Sequence, residues 1–434
     1  MRRTSQTAVA AVVVSALAAV SLGACSSGSG ASQSGGKQTI TWSTWGTPDE
    51  LKIFEQFDKD FEAKHPDITV NFQPVASYSD YNSKLTTQLT SHTAPDVFYV
   101  GDDNIASMVA NGVLAPLDDN LASEGSLISA SDFNEDIYRI AQKDGKLYGL
   151  PNDVNPDAFW YDKEALKAAG ITDDPSTLAS QDEWTTDAFF QMVDKLKAAG
   201  LDGAAFWNYW STTDSILVSQ GGTVYDDSGA YVANTDATSV SALQKWADKF
   251  TDGSLVVADT LPSGSDSDTL FVTHKLGFLV QGRYTVATIE GAGLSTDDYD
   301  VVRWPTPDGT EAPSGVASSF LAINKDTEAP DAAYTFFEEF LSQEGQTLRL
   351  KDSGNALPSI NGIDNIVTDS KKPANVASLI EMRNKGFANF PTEAAVPDLS
   401  NSISNDIMLP LYQGKTTAQK ALDDTASLVS EKTE

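Results

Sequence analysis

The sequence has very little cysteine, little histidine and few basic side chains. Its 434 residues include one cysteine, three histidines, and 29 lysines and arginines against 61 aspartates and glutamates. A single cysteine cannot form an internal disulfide, and His65, His92 and His274 lack the spacing of a metal site. The formal net charge of −32 at pH 7 repels nucleic acid and anionic lipid at long range. We therefore expect no metal, no cofactor and no nucleic-acid partner, and a ligand that is neutral or cationic rather than anionic.

Catalytic sequence patterns are missing as well. Neither the Gly-x-Ser-x-Gly elbow of hydrolases nor the Gly-x-Gly-x-x-Gly turn of dinucleotide-binding proteins occurs. Gly414-Lys415-Thr416 resembles the end of a phosphate-binding loop, but Leu409 stands where the first glycine is needed. These residues therefore predict a connection between helices, and we predict no catalytic residues.

The amino-terminal 36 residues have the pattern of a lipoprotein signal. Two arginines precede an apolar stretch over residues 8–22, and the sequence Leu-Gly-Ala-Cys ends at Cys25. The apolar stretch is shorter than the roughly 20 residues that a membrane-spanning helix needs. We predict a signal peptide over residues 1–24, lipidation of Cys25 and a flexible Gly/Ser-rich tether over residues 25–36. An ordinary secretory signal with an unrelated cysteine is the alternative.

From residue 39 onward, segments typical of strands alternate with segments typical of helices. Leu51, Phe54, Phe57 and Phe61 recur every three or four residues, as on one face of a helix, and apolar residues then alternate over residues 68–72, as in a strand. This alternation predicts an α/β fold with parallel strands. Three further helical segments are predicted near residues 373–386, 400–413 and 416–430.

Six stretches, in order along the chain, carry a resemblance to a known family. They lie at residues 95–100 (PDVFYV), 145–151 (GKLYGLP), 160–163 (WYDK), 274–278 (HKLGF), 282–284 (GRY) and 332–337 (AAYTFF). Together with the lipoprotein signal, this ordered set resembles the family 1 extracellular solute-binding proteins of ABC importers, which are relatives of the maltose-binding protein. The resemblance depends on the whole set, because no one stretch is diagnostic by itself.

The resemblance implies an α/β fold of the periplasmic-binding-protein type, with two lobes that are each discontinuous in sequence and are joined by a hinge. The expected amino-terminal lobe is residues 37–152 with 306–348, and the expected carboxy-terminal lobe is residues 153–305 with 349–434. Hinge segments are expected near residues 152–155 and 305–307. Because ligands of open α/β sheets bind beyond the carboxyl ends of the strands, the ligand is expected between the lobes, which close on it by hinge motion.

The resemblance also implies a function. The expected protein is a lipid-anchored monomer on the extracellular face of the cytoplasmic membrane. It captures a neutral oligosaccharide and delivers it to the transmembrane subunits of an ABC permease.

Aromatic residues follow several of the strand-like segments. Trp45 follows the first, Tyr78 opens the helix after the second, and Trp207 and Trp210 follow residues 203–205. A pyranose ring packs its C–H face on an aromatic ring, so these residues are predicted stacking platforms for a sugar. The alternative is that each ring packs over its own lobe.

Five further candidates follow from the resemblance. Tyr284 matches an aromatic position that stacks on sugar, although many members have tryptophan there. Asp102 resembles a carboxylate that accepts hydrogen bonds from sugar hydroxyls, Asn155 lies in the crossover between the lobes, and Arg283 is expected to orient hydroxyls. Ser318, at the start of the last strand of the first lobe, completes the set. Asp102 could instead cap the helix that follows it.

Two other functions stay open. A glycoside hydrolase needs two carboxylates roughly 5 to 10 Å apart, and a sequence with this many acidic residues does not exclude such a pair. A binding protein for a solute other than a sugar is the second alternative.

Overall fold

The computed structural model describes residues 37–46, 48–75, 78–262, 266–352 and 354–433. The predicted signal peptide, Cys25 and the predicted tether lie outside the described residues.

Strands in these ranges fall into two large sheets and one small hairpin. In chain order they are β1 (Gln38–Ser43), β2 (Ile68–Phe72), β3 (Val97–Gly101), β4 (Gln142–Lys143), β5 (Lys146–Leu147), β6 (Gly149–Pro156), β7 (Ala158–Asp162), β8 (Asp202–Phe206), β9 (Leu255–Val257), β10 (Leu276–Gln281), β11 (Tyr299–Val302) and β12 (Val316–Ile323).

Helices surround the sheets. In the same described ranges they are α1 (Pro48–Lys64), α2 (Tyr78–Thr90), α3 (Ile105–Ala110), α4 (Asp118–Leu121), α5 (Glu135–Tyr138), α6 (Lys163–Ala168), α7 (Pro175–Ser180), α8 (Thr186–Ala198), α9 (Trp210–Ser219), α10 (Ala237–Thr251), α11 (Asp266–Val272), α12 (Thr285–Gly291), α13 (Pro330–Leu341), α14 (Gln343–Leu350), α15 (Asn365–Thr368), α16 (Ala377–Lys385), α17 (Pro391–Ala394), α18 (Leu399–Ser402), α19 (Leu409–Tyr412) and α20 (Ala418–Thr433). A π-helix over Ile403–Met408 joins α18 to α19.

The first sheet has the strand order β2-β1-β3-β12-β6. β1 pairs in parallel with β2 and β3, whereas β12 runs antiparallel to both β3 and β6. The second sheet has the order β11-β7-β10-β8-β9, with β8 parallel to its two neighbours and β7 antiparallel to its two. The sheets are therefore mixed rather than wholly parallel as predicted. The parallel strands follow helical crossovers, whereas β7 and β12 enter through connections that cross between the sheets.

The chain passes between the two sheets twice. β6 stays in the first sheet up to Pro156, β7 begins the second sheet at Ala158, and residues 303–315 lead back from β11 to β12. The first crossing is thus at Asp157, a few residues beyond the predicted boundary at residue 152. Pairing with β12 holds residues 153–156 in the first sheet, which is the reason for the shift.

Two hydrophobic cores hold the described chain together. In the first, Trp42 of β1 stacks on Phe72 with ring centroids 4.5 Å apart. In the second, Phe189 of α8 stacks on Trp246 of α10 at 5.5 Å. Side chains alternate along β7, so that Trp160 belongs to the first core and Phe159 to the second. The first core therefore includes one face of the second sheet.

The segment between α14 and α17 departs from the expected division into lobes. Leu357 pairs with Val154 of β6, and α16 contacts both β6 of the first sheet and β11 of the second. This segment thus lies against both sheets, whereas α18, α19 and α20 belong to the second core alone. The division of the chain into two lobes with boundaries at residues 152, 305 and 348 stays a prediction.

One local expectation can be compared with the described residues directly. Residues 414–416 connect α19 to α20, as predicted from the incomplete phosphate-loop pattern. None of the helices in the described ranges is both long and apolar enough to cross a bilayer.

Candidate ligand-binding cavity

A cavity of about 930 Å³ lies where the ends of strands from both sheets meet. Gly101 at the end of β3 and Ser318 near the start of β12 line it from the first sheet, and Trp207 after β8 and Tyr284 after β10 line it from the second. These positions are the carboxyl ends of β3, β8 and β10, where ligands of α/β sheets bind. We call this space the ligand cavity.

Six of the nine residues predicted from the sequence line the ligand cavity, and three do not. The six are Trp45, Tyr78, Asn155, Trp207, Tyr284 and Ser318. The other three, Asp102, Trp210 and Arg283, are not among its lining residues, and each forms hydrogen bonds to other protein atoms.

The aromatic side chains of the cavity are only partly buried. The Trp45 ring meets the Tyr78 ring nearly edge-on, with centroids 4.8 Å apart and an interplanar angle of 73°. Trp207 donates a hydrogen bond from Nε1 to Gln281 Oε1 at 3.3 Å. Trp45, Tyr78, Trp207 and Tyr284 are all half-buried. Packing and hydrogen bonds therefore hold the Trp45, Tyr78 and Trp207 rings in place while part of each ring borders the cavity.

Two glycines allow the close contacts that shape the wall. A Cβ at Gly101 would lie 1.9 Å from Tyr78 Oη, and a Cβ at Gly282 would lie 2.4 Å from Asn155 Oδ1. The same Asn155 oxygen accepts a hydrogen bond from the backbone N–H of Arg283 at 2.9 Å. Asn155 thus fixes the loop that carries Tyr284. Burial also raises the pKa of the Tyr284 hydroxyl.

Arg283 requires a correction. Its side chain is fully buried, and Nη1 donates to the backbone carbonyls of Leu350, Gly354 and Ala356 at 2.8, 2.9 and 3.2 Å. Burial lowers the pKa of the guanidinium to about 10. Arg283 holds the chain after α14 instead of orienting a ligand hydroxyl, because its planar donors match this array of carbonyls.

Asp102 and Trp210 form one buried cluster. Asp102 accepts hydrogen bonds from Tyr209 Oη at 2.7 Å, Trp210 Nε1 at 3.2 Å and the Ser318 N–H at 2.8 Å. Both oxygens of this buried carboxyl group therefore accept hydrogen bonds from protein donors. Neither Asp102 nor Asp103 caps α3, whose N-cap is Asn104 without a side-chain bond. The expectation that Asp102 meets sugar hydroxyls and Trp210 stacks on sugar does not fit this geometry.

The Asp102 cluster joins the two sheets. Asp102 follows β3 of the first sheet, whereas Tyr209 and Trp210 follow β8 of the second. Burial, followed by the neighbouring charge of Asp103, raises the pKa of Asp102 to about 7. Hydrogen bonds to this buried acid therefore bridge the two sheets.

Sequence reasoning missed several polar residues of the cavity. Asp157 accepts a hydrogen bond from Ser211 Oγ at 2.6 Å, and burial raises the pKa of its carboxyl to about 7. The Asn208 amide donates from Nδ2 to Asn405 Oδ1 at 3.1 Å. Asp157 lies at the crossover and Asn208 lies among the aromatic residues 206–210, so both could have been predicted as cavity residues from the sequence. Asn405 could not, because its helical pattern does not show which face meets the cavity.

Two buried polar atoms at the cavity have unused hydrogen-bonding capacity. Within the part of the chain that the structure describes, Ser318 Oγ and Asn208 Oδ1 have no hydrogen-bond partner. A buried polar atom without a partner is unfavourable by about 1–3 kcal/mol. A ligand with hydroxyl groups would relieve both. No three His, Cys, Asp or Glu side chains among the described residues lie close enough together to hold a metal ion.

The chain is similar to known proteins over most of its length. A family described as bacterial extracellular solute-binding proteins matches residues 45–347. The diacetylchitobiose-binding protein DasA of Streptomyces coelicolor is 28% identical over 323 residues, which are 71% of this chain and 70% of the relative. The maltodextrin-binding protein MdxE of Bacillus subtilis is 23% identical over 405 residues, which are 91% and 90% of the two chains.

A solved structure extends the likeness to the fold. An ABC substrate-binding protein of Listeria monocytogenes, in complex with cycloalternan, matches with a TM-score of 0.77 at 22% identity and covers 91% of this chain and 98% of the other. The predicted two-lobe α/β fold is confirmed.

Proposed function

This chain belongs to the family of bacterial extracellular solute-binding proteins, and on that premise we propose that it captures a neutral oligosaccharide in the ligand cavity for an ABC importer. DasA and MdxE carry names that state diacetylchitobiose and maltodextrin binding, and the Listeria structure contains cycloalternan. All three ligands are carbohydrates. In this proposal the two lobes close on the sugar, and the permease then accepts it.

One observation carries the proposal: half-buried aromatic rings and unpartnered polar atoms border the same cavity. Trp207 and Tyr284 offer apolar ring surface, whereas Ser318 Oγ and Asn208 Oδ1 offer hydrogen bonds. A pyranose has an apolar C–H face and a rim of hydroxyls, so it matches both features. The strong net negative charge of the chain disfavours an anionic ligand.

Closure in the proposed mechanism depends on Asp102. Its hydrogen bonds from Tyr209 and Trp210 join residues that follow strands of different sheets, so separation of the lobes would break them. We assign Asp102 to closure rather than to sugar contact, because its side chain is fully buried, does not line the cavity and accepts hydrogen bonds from protein donors. The closed surface would then be the form that the transmembrane permease recognises.

A glycoside hydrolase is the second candidate function, and two carboxyls in the cavity favour it. Burial raises the pKa of Asp153 to about 6 and that of Asp157 to about 7, and a hydrolase needs one carboxylic acid that stays protonated near neutral pH. Incubation with oligosaccharides and chromatography of the products separates the two functions. Smaller products that disappear in the Asp157→Asn variant would establish catalysis.

A thermal-shift screen followed by calorimetry tests the proposed sugar binding. Neutral oligosaccharides, amino acids and peptides are compared, since binding to the folded state alone raises the melting temperature. With the best sugar, Tyr284→Ala should weaken binding about ten- to a hundredfold, because a stacking ring buries apolar area worth about 1–3 kcal/mol. Tyr148→Ala is the matched control, since Tyr148 is half-buried but does not line the cavity. Wild-type affinity in Tyr284→Ala would remove that residue from the site.

The membrane anchor is proposed from the sequence alone. Cys25 ends the lipoprotein signal, and an acyl chain contributes about 0.8 kcal/mol per buried methylene to membrane binding. Cys25→Ala should release the protein into the medium with ligand affinity unchanged. Retention of the variant in the membrane fraction would contradict the anchor.

A further inference from the structure

A second cavity, of about 840 Å³, opens beside the ligand cavity. Tyr78, Asn401 and Asn405 line both cavities, so the two spaces adjoin along these three side chains. α2 and α3 of the first lobe form one side of the second cavity, and the chain around α18 forms the other. We call this second cavity the amide groove.

We propose that the amide groove binds further sugar units of the same oligosaccharide whose first units occupy the ligand cavity. This inference rests on the proposed function and deepens it, because it assigns a substrate class: chains too long for the ligand cavity alone.

The chemistry of the groove fits a neutral chain of hydroxyl-bearing units. Its wall contains the side-chain amides of Asn82, Asn104 and Asn111 and the hydroxyls of Ser83 and Thr86. No lysine or arginine is among its lining residues in the described chain, so nothing there favours an anionic ligand. Apolar side chains are a minority of the lining. Amides and hydroxyls, which both donate and accept hydrogen bonds, suit sugar hydroxyls instead.

The boundary between the two cavities is held in a fixed position. Tyr78 Oη donates to Asp103 Oδ1 at 2.5 Å, and Asn104 Nδ2 donates to the same oxygen at 2.8 Å. Trp45 packs against the Tyr78 ring on the other side. Tyr78 is therefore a rigid aromatic surface at the point where a chain would leave one cavity and enter the other.

The sizes of the cavities support the same assignment. Pockets for a single small ligand have volumes of about 300–1,000 Å³, and the ligand cavity is already near that upper end at about 930 Å³. The amide groove adds a volume of similar size. A short sugar would fill the first space only, whereas a longer one would gain contacts from both.

Calorimetry with oligosaccharides of increasing length tests this inference. The probes are the maltose-to-maltohexaose series and chito-oligosaccharides of two to six units. Thr86→Trp places a large ring in the groove from an exposed position of α2, and Thr87→Trp is the matched control, since Thr87 is exposed on the same helix but does not line the groove.

We expect the wild-type protein to bind the longest member of its series at least tenfold more tightly than the shortest. Thr86→Trp should remove this gain and leave the affinity for the shortest member unchanged, and Thr87→Trp should bind both like the wild type. The melting temperature checks folding, and Ser83→Trp from the same groove replaces Thr86→Trp if that variant unfolds. Equal affinity along the series, or a length-dependent gain that survives in Thr86→Trp, would overturn the inference while sugar binding itself stands. If no sugar of either series or of the wider screen binds, the proposed function fails, and the inference fails with it.

Discussion

Helix α9 lies between two cavities that differ greatly in size and chemistry. Ser211 and Thr212 line the ligand cavity of about 930 Å³, whereas Trp210, Thr213 and Asp214 line a small cavity of about 10 Å³, near the size of one water molecule. Residues 210–214 thus line two different cavities, because the 3.6-residue period of a helix turns neighbouring side chains to different sides. The small cavity belongs to the second core, and the large one adjoins both lobes.

The polar groups on the two sides of α9 are satisfied differently. On the small-cavity side, Glu393 accepts hydrogen bonds from Tyr225 at 3.0 Å and Ser400 at 3.1 Å, whereas Asp214 Oδ2 is buried without a partner among the described residues. Burial, followed by the charge of Glu393, raises the pKa of Asp214, and burial also raises that of Glu393. No lysine or arginine lines this small cavity in the described chain. Burial without a cation therefore disfavours the charged form of Asp214. At the ligand cavity, by contrast, the unpartnered atoms among the described residues are the neutral Ser318 Oγ and Asn208 Oδ1.

The largest expected effect is that of Trp210, which lines the small cavity, in contrast to Trp207, which lines the ligand cavity. Trp210 is 3% exposed, so Trp210→Ala should open a cavity and lower the free energy of unfolding by about 3–5 kcal/mol. Denaturant unfolding of the ligand-free protein measures this. A variant as stable as the wild type would place Trp210 outside the core.

The next effect concerns Trp207, the half-buried tryptophan three residues before Trp210. Trp207→Ala should weaken sugar binding about ten- to a hundredfold through lost ring contact, equivalent to about 1–3 kcal/mol. The free energy of unfolding should change far less than in Trp210→Ala. Calorimetry and denaturant unfolding on both variants test the contrast, and a reversed order of the two effects would refute it.

A smaller effect should appear in the pH dependence of stability. Because folding raises the pKa of Asp214, the folded protein binds more protons than the unfolded chain above pH 4, and wild-type stability falls as pH rises through that window. The asparagine in Asp214→Asn does not titrate, so this pH-dependent loss of stability is absent in the variant. Its stability relative to the wild type should therefore increase as pH rises above about 4, the ordinary pKa of aspartate. Asp187→Asn, at an exposed position, is the control, and an equal pH dependence in both variants would contradict the raised pKa of Asp214.

The smallest effect concerns the contact between the lobes. Tyr209→Phe removes the hydroxyl that donates to Asp102 and keeps the ring. One hydrogen bond to a charged or partly charged group contributes about 0.5–3 kcal/mol, so sugar should dissociate several-fold faster while association stays the same. Stopped-flow fluorescence measures both rates, with Tyr148→Phe as the control. Slower association with unchanged dissociation would argue against a role in closure.

Much of the fold was predictable from local patterns. α1 covers the predicted stripe from Leu51 to Phe61 and ends at Lys64, because Pro66 disfavours helix at the residue before it. The predicted strand over residues 68–72 matches β2. The mixed direction of the sheets was not predictable in this way, since strand direction depends on connections that cross from one sheet to the other.

The site was predictable in part. The pattern of aromatic residues after strands selected Trp45, Tyr78 and Trp207, which line the cavity because loops at the carboxyl ends of strands face the same space in this fold. Their contact with a ligand stays a prediction. The same reasoning failed to separate Trp207 from Trp210, which differ only by their position relative to the start of α9. It also assigned Arg283 to the ligand, although four backbone carbonyls far along the chain hold its guanidinium.

By itself, the sequence determined the α/β alternation, the excess of negative charge and the family resemblance, and it predicts the lipoprotein signal, because each of these depends on residues that are near one another in the chain or on composition. Only the tertiary structure decided which polar groups are already satisfied and which border a cavity. Asp102 meets Tyr209 and Ser318 across more than a hundred residues of chain. Such contacts form when both sheets are folded and together, and no local pattern of residues specifies them.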